Sequence, residues 1–333
     1  MSTGTALRPD LRTSLRRPDD ALPRSSIGTA PMLWAHADGA QNDGTDAMAI
    51  LDEIARVGYE GTQLGGGFPE GAELRDALHA RGLRLAEVYV PIPATVDGPF
   101  ADALDIADER LRLLRDGEGE VLCLALDSSP GRDESAGRAS EPGTPVLTDA
   151  GWESLVEVIH AIADRTAALG HPVVFHPHGG TFIETPAEVE RLVATTDPQR
   201  MGICLDVGHY LVGGGDPVTA IRALGDRITH VHLKDVDPAV LTRLQAGALG
   251  GLRHAIGERI FTELGGGILE LDGVIAALAE LDYAGWLIVE QDTTWAPPSE
   301  SAAIGRRVLA EALRRHGPAG AGSTASGSAE AGA

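Results

Sequence analysis

The sequence predicts an α/β protein folded as a single (β/α)8 TIM barrel. Short apolar runs of strand length alternate with longer segments of helical period between residues 26 and 316. The composition of this stretch does not change in a way that would mark a second domain, and polar residues end several of the apolar runs. A doubly wound open sheet is the alternative, but its Gly-x-Gly-x-x-Gly pattern does not follow the first apolar run.

Eight candidate strands and eight candidate helices can be placed along the chain. The strands are Ser26–Ala30, Gly61–Leu64, Leu83–Val90, Glu120–Leu126, Pro172–His176, Met201–Asp206, Ile228–Leu233 and Trp286–Glu290. The helices are Thr45–Val57, Gly71–Ala80, Phe100–Arg115, Asp149–Leu169, Pro186–Thr195, Pro217–Leu224, Leu271–Leu281 and Ser299–Arg315. Two of the helices have typical starts, Thr185-Pro186 followed by Glu188 and Asp216-Pro217.

The chain ends and two connecting segments differ in composition from these elements. Residues 1–25 contain arginines but no apolar run of signal-peptide type, so we expect a flexible leader. Residues 317–333 are rich in Gly, Ala and Ser and are expected to form a disordered tail. Ser128–Pro145 is predicted to be a loop after the fourth strand. Residues 237–270 are predicted to be an insertion that serves as a lid or an interface.

The overall composition narrows the class of function. A net charge of −22 argues against binding to nucleic acid or to an anionic membrane surface. No apolar run is long enough to span a membrane. Cys123 and Cys204 lie far apart in separate apolar runs, which is not a disulfide framework, so we expect a reducing, cytoplasmic setting.

Polar residues end four successive predicted strands, the fifth to the eighth. In a (β/α)8 barrel the C-terminal ends of the strands meet on one face, where active sites lie. The polar residues at these ends are His176, His178, Asp206, His209, His230, His232, Lys234, Asp235 and Glu290.

Strand alternation groups the residues of the seventh strand. Side chains two residues apart point to the same side of a strand. His230, His232 and Lys234 therefore share one face, while Val231 and Leu233 share the other. We interpret His230 as a structural histidine of the barrel interior whose hydrogen bonds are satisfied.

The same alternation makes His176 and His178 point together, with Val173 and Phe175 facing the helices. Imidazole and carboxylate groups on adjacent strands are donors that suit a catalytic divalent ion. Each of these residues alone is most simply an ordinary polar residue at a strand end. Four such ends in register favour a metal site.

Three residues leave alternatives open. Asp235 either supports a ligand residue or caps a loop. Glu184 either replaces His176 as a ligand or, the interpretation we prefer, caps the following helix. Lys234 is the only lysine among 27 basic residues, which suggests that arginine cannot replace it there. It serves either as a desolvated base or, the interpretation we prefer, as an ammonium that hydrogen-bonds a substrate oxygen.

Several longer motifs together resemble a known family. They are Gly28-Thr-Ala-Pro-Met-Leu-Trp34, Gly58-Tyr-Glu-Gly-Thr-Gln-Leu-Gly-Gly-Gly-Phe-Pro69, Phe175-His-Pro-His-Gly-Gly-Thr-Phe-Ile-Glu-Thr-Pro186, Leu205-Asp-Val-Gly-His209, His230-Val-His-Leu-Lys-Asp-Val236 and Gly285-Trp-Leu-Ile-Val-Glu-Gln-Asp292. With these motifs, residues 26–312 resemble the inosose dehydratase branch of the xylose-isomerase-like sugar isomerase/epimerase superfamily.

The resemblance implies a divalent metal, Mn, Co or Mg, held at the ends of strands five to eight. By position Asp206, His232 and Glu290 match metal ligands, and His176 stands where the superfamily usually has a glutamate ligand. We assign the catalytic roles to His178, Lys234 and His209. Of these, His178 stands at the position of a catalytic lysine in xylose isomerases, and His209 either supports a ligand or contacts substrate. We also expect a homo-oligomer.

The chain departs from the dehydratase pattern in three places. Gln63 stands where the dehydratases have a glutamate, which removes a candidate acid. Residues Leu264–Glu270 replace their Gly-x-Gly-x-x-Asp segment, and the strand end Cys123–Asp127 lacks their Ser-Glu pair. These departures concern the substrate more than the metal ligands.

The resulting prediction is a divalent-metal-dependent lyase or isomerase that acts on a keto-sugar or keto-cyclitol through an enediolate, as in inosose dehydratases. The alternatives are a sugar isomerase or epimerase, an eliminase of 3-keto-glycosides including C-glycosides, and a non-catalytic sugar-binding subunit. Endonuclease IV shares the barrel and the Asp-x-x-His pair, but the acidic balance and the single lysine argue against DNA binding.

Overall fold

The computed structural model describes residues 19–34 and 46–317. Within these residues eight parallel strands form a closed barrel in which every strand pairs with its neighbours in sequence and the first pairs with the last. The prediction of a (β/α)8 TIM barrel is confirmed. The strands are β1 Ser26–Thr29, β2 Gly61–Gln63, β3 Arg84–Ile92, β4 Val121–Leu126, β5 Val173–Phe175, β6 Gly202–Asp206, β7 Ile228–Leu233 and β8 Trp286–Val289.

Helices surround the barrel, and their starts follow from local sequence. Asp216 accepts hydrogen bonds from the backbone N–H groups of Val218 and Thr219, as its place before a proline predicts. The helix preceded by Thr185 has a full capping box with Glu188. The described helices are Ala47–Val57, Gly71–Ala80, Ala103–Asp116, Pro130–Glu134, Asp149–Ala167, Pro186–Thr195, Val207–Val212, Pro217–Leu224, Pro238–Gln245, Leu252–Gly257, Leu271–Glu280 and Pro298–Arg315.

The barrel strands separate two apolar regions, as the alternation of side chains requires. Val231 and Leu233 belong to the large core that fills the space between strands and helices. Cys123, Val174 and Cys204 belong to a smaller cluster inside the barrel. Both cysteines are free and fully buried. His176 and Asp206 lie two residues beyond Val174 and Cys204, on the same side of their strands. Their side chains therefore point to the C-terminal mouth of the barrel.

The segment from residue 237 to 270 contains regular structure and its own apolar core. Asp235–Val236 pairs antiparallel with Phe261–Thr262, which ties the segment to the end of β7. Its helices pack with residues from the fourth and sixth strand–helix connections, and the members of this second core include Ala136, Val212, Val240, Leu244, Leu252 and Phe261. The predicted loop Ser128–Pro145 is partly helical, at Pro130–Glu134.

Residues 19–25 lie against the end of the last helix. Ala21 donates its backbone N–H to Leu313 O, and the side chains of Asp20, Ala21 and Leu22 are buried. The predicted leader and tail otherwise fall on residues 1–18 and 318–333, outside the described residues. No helix within residues 19–34 and 46–317 has the length and apolar character needed to cross a membrane.

Candidate metal centre and active site

The ends of β5 to β8 bring four side chains together at the mouth of the barrel. His176 follows β5, Asp206 ends β6, His232 lies in β7 and Glu290 follows β8. Asp206 and His232 are register partners on adjacent strands. One ligand atom of each of the four residues lies within 4.8 Å of the others, and all four side chains are buried. We call these residues the four-residue cluster.

Several polar atoms of the cluster have no satisfactory hydrogen bond. Among the described residues both ring nitrogens of His176, Asp206 Oδ2, His232 Nδ1 and Glu290 Oε2 are buried without a partner of acceptable geometry. His176 Nε2 lies 3.5 Å from Asp206 Oδ2, and His232 Nδ1 lies 2.6 Å from Glu290 Oε2. Buried polar atoms are normally paired. A divalent cation would satisfy this set, since imidazole nitrogens and carboxylate oxygens are common ligands of Mn, Co and Zn.

Electrostatics within the cluster favour a charged carboxylate at Glu290 and a positive charge beside it. Burial raises the pKa of Glu290, but Lys234 and His232 lower it more, so that its pKa lies well below the ordinary value. Burial lowers the pKa of His232, but Glu87 and Glu290 raise it well above the ordinary value. Glu290 is therefore a carboxylate, and a proton or a metal ion is favoured between it and His232.

Lys234 is buried beside the cluster and makes polar contacts on several sides. Its Nζ lies 2.7 Å from Asp292 Oδ1, 2.9 Å from Glu290 Oε1 and 3.0 Å from His209 Nε2. The ammonium also lies 4.6 Å from the centre of the Phe261 ring. Burial lowers the pKa of Lys234, but the surrounding carboxylates raise it well above the ordinary value. Lys234 is thus a charged hydrogen-bond donor, which is the role that we preferred from the sequence, and Asp292 is a partner that the strand-end argument missed.

His178 and His209 form a stacked pair beside Lys234. Their ring centroids are 3.6 Å apart. His178 Nδ1 lies 2.7 Å from the carbonyl oxygen of Gly179, so Nδ1 carries the hydrogen and the Nε2 lone pair is free. Burial, together with His176 and Lys234, lowers the pKa of His178 to about 3. Burial and His178 also hold the pKa of His209 well below its ordinary value. Both rings are therefore neutral near pH 7, and His209 lies outside the four-residue cluster.

A buried glutamate inside the barrel, Glu87 of β3, is a second residue that the sequence argument missed. Its Oε2 lies 2.6 Å from His230 Nε2 and 3.0 Å from His232 Nε2, and its Oε1 accepts a hydrogen bond of 2.7 Å from Gln63 Nε2. The interpretation of His230 as a histidine with satisfied hydrogen bonds is wrong, because neither of its buried ring nitrogens has a partner of acceptable geometry among the described residues. Burial raises the pKa of Glu87, but His232 and His230 lower it more, so that the pKa of Glu87 lies far below the ordinary value. The sequence contains one sign of this role, because Glu87 is an acidic residue in the middle of the apolar run Leu83–Val90.

Asp235 organises the glycine-rich loop that follows the insertion. Its two carboxylate oxygens accept hydrogen bonds from the backbone N–H groups of Val236, Gly265, Gly267 and Leu269. Of the two alternatives left open by the sequence, this arrangement is that of a loop cap. It supports the loop next to β7 rather than a residue of the cluster.

Glu184 connects two loops instead of joining the cluster. It accepts backbone hydrogen bonds of 2.6 Å from Gly180 and 2.8 Å from Gly137. The prediction that it caps its helix is wrong, because Thr185 provides the side-chain cap. Burial raises the pKa of Glu184 to about 7, although the two N–H donors favour the carboxylate and lower its pKa. Of the pair His176 and Glu184, only His176 lies in the four-residue cluster.

Comparison with known proteins gives close relatives over most of the chain. An inosose dehydratase of Geobacillus kaustophilus (strain HTA426) is 33% identical over 288 residues, which cover 85% of this chain and 93% of the relative. The rhizopine catabolism protein MocC of Rhizobium meliloti is 35% identical over 291 residues, which cover 85% of this chain and 87% of that protein.

Solved structures share the fold at lower identity. A structure of L-ribulose 3-epimerase has a TM-score of 0.66 at 16% identity and covers 92% of this chain and all of the other. The IOLI protein, whose structure is described as having a binding zinc atom, has a TM-score of 0.65 at 11% identity, with 88% of this chain and 99% of the other covered. The family model of the xylose isomerase-like TIM barrel matches residues 46–312. The chain belongs to the xylose isomerase-like TIM barrel family, in its inosose dehydratase-like branch.

Proposed function

We propose that this protein is a divalent-metal-dependent lyase that removes water from a keto-cyclitol or keto-sugar. The observation that carries the proposal is the four-residue cluster His176, Asp206, His232 and Glu290 at the mouth of the barrel. The names of its relatives, inosose dehydratases at 30–33% identity, support dehydration and a cyclitol substrate.

His176, Asp206, His232 and Glu290 would hold the metal. The unpaired polar atoms of these residues, two imidazoles and two carboxylates, fit a divalent ion with mixed nitrogen and oxygen ligands. When bound, such an ion supplies Lewis-acid polarisation of a substrate carbonyl. Manganese is our first candidate, with cobalt and magnesium as alternatives, and the zinc named for the IOLI structure belongs in the same assay.

The charged Lys234 would donate a hydrogen bond to the substrate oxygen on which negative charge develops. Asp292, at 2.7 Å, and Glu290, at 2.9 Å, hold its ammonium in place. A donor that is already oriented in a buried site stabilises such charge without reorganisation.

His178 would take the proton from the carbon next to the carbonyl. Because its pKa is about 3 in the protein alone, negative charge on the bound substrate must stabilise its imidazolium for this step. Nδ1 of His178 is occupied by the Gly179 carbonyl, so Nε2 is the free acceptor, and the side chain is only part-buried and so accessible to a ligand. In the proposed reaction a C–H bond and a C–O bond break and a C=C bond forms. The proton and the hydroxide leave together as water. His209 stacks on His178 and so positions its ring.

The test is an assay of the purified protein with a keto-cyclitol such as 2-keto-myo-inositol, after loading with Mn²⁺, Co²⁺, Mg²⁺ or Zn²⁺. We expect an absorbance typical of a conjugated enone product to appear with at least one of these ions. Exchange of the substrate α-proton with solvent without loss of water would instead support a sugar epimerase. No reaction and no exchange with a panel of keto-sugars and 3-keto-glycosides would contradict the proposal.

We further propose that the enzyme works in the cytoplasm as a homo-oligomer. The two free, buried cysteines suit a reducing compartment. Light scattering coupled to size-exclusion chromatography measures the oligomeric state. A monomer at micromolar concentration would contradict the proposed homo-oligomer.

A further inference from the structure

Glu87 is fully buried, and its carboxylate connects two histidines of β7 with a side chain of β2. Both imidazoles approach the same oxygen through Nε2, His230 at 2.6 Å and His232 at 3.0 Å. The other oxygen accepts the amide N–H of Gln63 at 2.7 Å. A buried carboxylate is stable only when such partners replace its water.

The backbone explains how Gln63 reaches Glu87. The two residues are register partners on β2 and β3, and the register shifts by one residue between Thr62 and Gln63. A bulge of this kind re-aims the side chain that follows it. The contact between Gln63 and Glu87 is therefore built into the pairing of the two strands.

The geometry fixes which nitrogen of His232 faces the four-residue cluster. A carboxylate only accepts hydrogen bonds, so the nitrogen that faces Glu87, Nε2, carries a hydrogen. Nδ1 points the other way, 2.6 Å from Glu290 Oε2 and 3.9 Å from Asp206 Oδ2. By the same rule Nδ1, which faces Glu290, carries a second hydrogen in the metal-free protein, and this second hydrogen is the one that a metal ion displaces. Histidine ligands of metals are commonly oriented in this way, through a hydrogen bond from the second ring nitrogen.

We propose that Glu87, held by Gln63, is a positioning residue that makes Nδ1 of His232 the metal-binding atom. The proposal rests on the proposed function, because it assumes that His232 binds a metal. The proposal predicts that Glu87, a carboxylate of β3, controls metal affinity. Within the described structure Glu87 lies within hydrogen-bond distance of His232 but of no other residue of the four-residue cluster, so the cluster alone would not lead to this prediction.

The test combines nitrogen NMR with metal titration of the full-length protein. In protein labelled with ¹⁵N at histidine, His232 should show a hydrogen on Nε2 both before and after Zn²⁺ is added, and its Nδ1 resonance should be the one that shifts. The Glu87→Gln variant should bind Zn²⁺ and Mn²⁺ about 10- to 100-fold more weakly. Gln63→Ala, which leaves the carboxylate in place, should weaken binding by a smaller factor.

The matched control is Glu263→Gln, since Glu263 is a partly buried glutamate that hydrogen-bonds Ser301 away from the cluster. Its metal affinity should equal that of the wild type. A Zn²⁺-induced shift at Nε2 of His232, or unchanged metal affinity in both Glu87→Gln and Gln63→Ala, would overturn the proposal. If the wild type binds no divalent ion, the proposed function fails. A His232 Nε2 without a hydrogen in the metal-free protein would overturn the hold of Glu87 on the ring separately.

Discussion

The ammonium of Lys234 lies 2.7 Å from the carboxylate of Asp292, two residues beyond Glu290 on the same chain segment. Glu290 itself lies 2.9 Å from the same ammonium. One strand end therefore supplies both a candidate metal ligand and the group that orients the candidate substrate donor. This arrangement links the metal centre to the lysine without any residue in between.

Replacing Lys234 by arginine should be nearly as harmful as replacing it by alanine. The side chain is 1% exposed, and a larger planar guanidinium cannot occupy the same space between Asp292, His209 and Phe261. We expect turnover of the keto-cyclitol to fall about 100-fold in Lys234→Arg, the order of loss that follows misplacement of a group by one ångström.

The control for this substitution is Arg243→Lys, because Arg243 forms an exposed pair with Glu258. Its turnover should match that of the wild type. Turnover in Lys234→Arg close to the wild-type value would mean that charge alone is required at this position.

Divalent metal should stabilise the protein against unfolding, and Glu290→Gln should remove most of that effect. A ligand that binds only the folded state at 100 times its Kd adds about 2.7 kcal/mol to the free energy of unfolding. Urea denaturation with and without Mn²⁺ measures the difference. Asp127→Asn is the control, since Asp127 is an exposed carboxylate that follows β4 and should leave the stabilisation unchanged. Equal stabilisation of Glu290→Gln would show that the ligand set is wrong.

Gly267→Ala should destabilise the glycine-rich loop. A Cβ atom at this position would meet Asp235 Oδ1 and Val236 O well inside van der Waals contact. We expect a loss of about 1–3 kcal/mol in the free energy of unfolding, as for other overpacked sites. Gly257→Ala is the matched control, because no atom lies within 4 Å of its added Cβ. If both variants have wild-type stability, the contact between Asp235 and the loop is looser than the structure indicates.

Glu184 should make stability depend on pH between about 4.5 and 7. Burial raises its pKa from the ordinary value of 4.5 to about 7, so the folded protein holds this proton more tightly than the unfolded chain does. The stabilising contribution is complete below pH 4.5 and is lost as the pH rises through 7. Over this range the shift lowers the free energy of unfolding by roughly 3 kcal/mol.

The measurement is the difference in unfolding free energy between the wild type and Glu184→Gln at pH 5 and pH 8. Relative to the variant, the wild type should be less stable at pH 8 than at pH 5. The charged Arg132 and Glu188 lie near this carboxylate in both proteins, so their effects largely cancel. A difference that does not change with pH would mean that Glu184 keeps an ordinary pKa.

The barrel could be predicted because its signals are local. The apolar runs mark the strands to within a few residues, and the alternation around His232 places the polar side chains on the inner face of β7. The cluster followed from a general property of barrels, that the ends of successive strands converge.

The rest of the site depends on contacts between segments far apart in the chain. Glu87 is 145 residues from His232, and no spacing rule connects β3 with β7. Phe261 lies beside Lys234 because Phe261–Thr262 pairs antiparallel with Asp235–Val236. Asp292 lies three residues after the end of β8, where strand alternation no longer predicts the direction of a side chain. These residues become visible only when the chain is folded.

The separate apolar core of residues 237–261 has an evolutionary consequence. This core combines side chains of the segment with Ala136 and Val212 from two other strand–helix connections, and the segment pairs with the end of β7. The candidate metal ligands belong to the strand ends. The sequence of this segment can therefore change during evolution without remodelling the strand ends that carry the candidate metal ligands. For enzyme engineering, this segment can be varied while Phe261, which contacts Lys234, and the strand ends are kept.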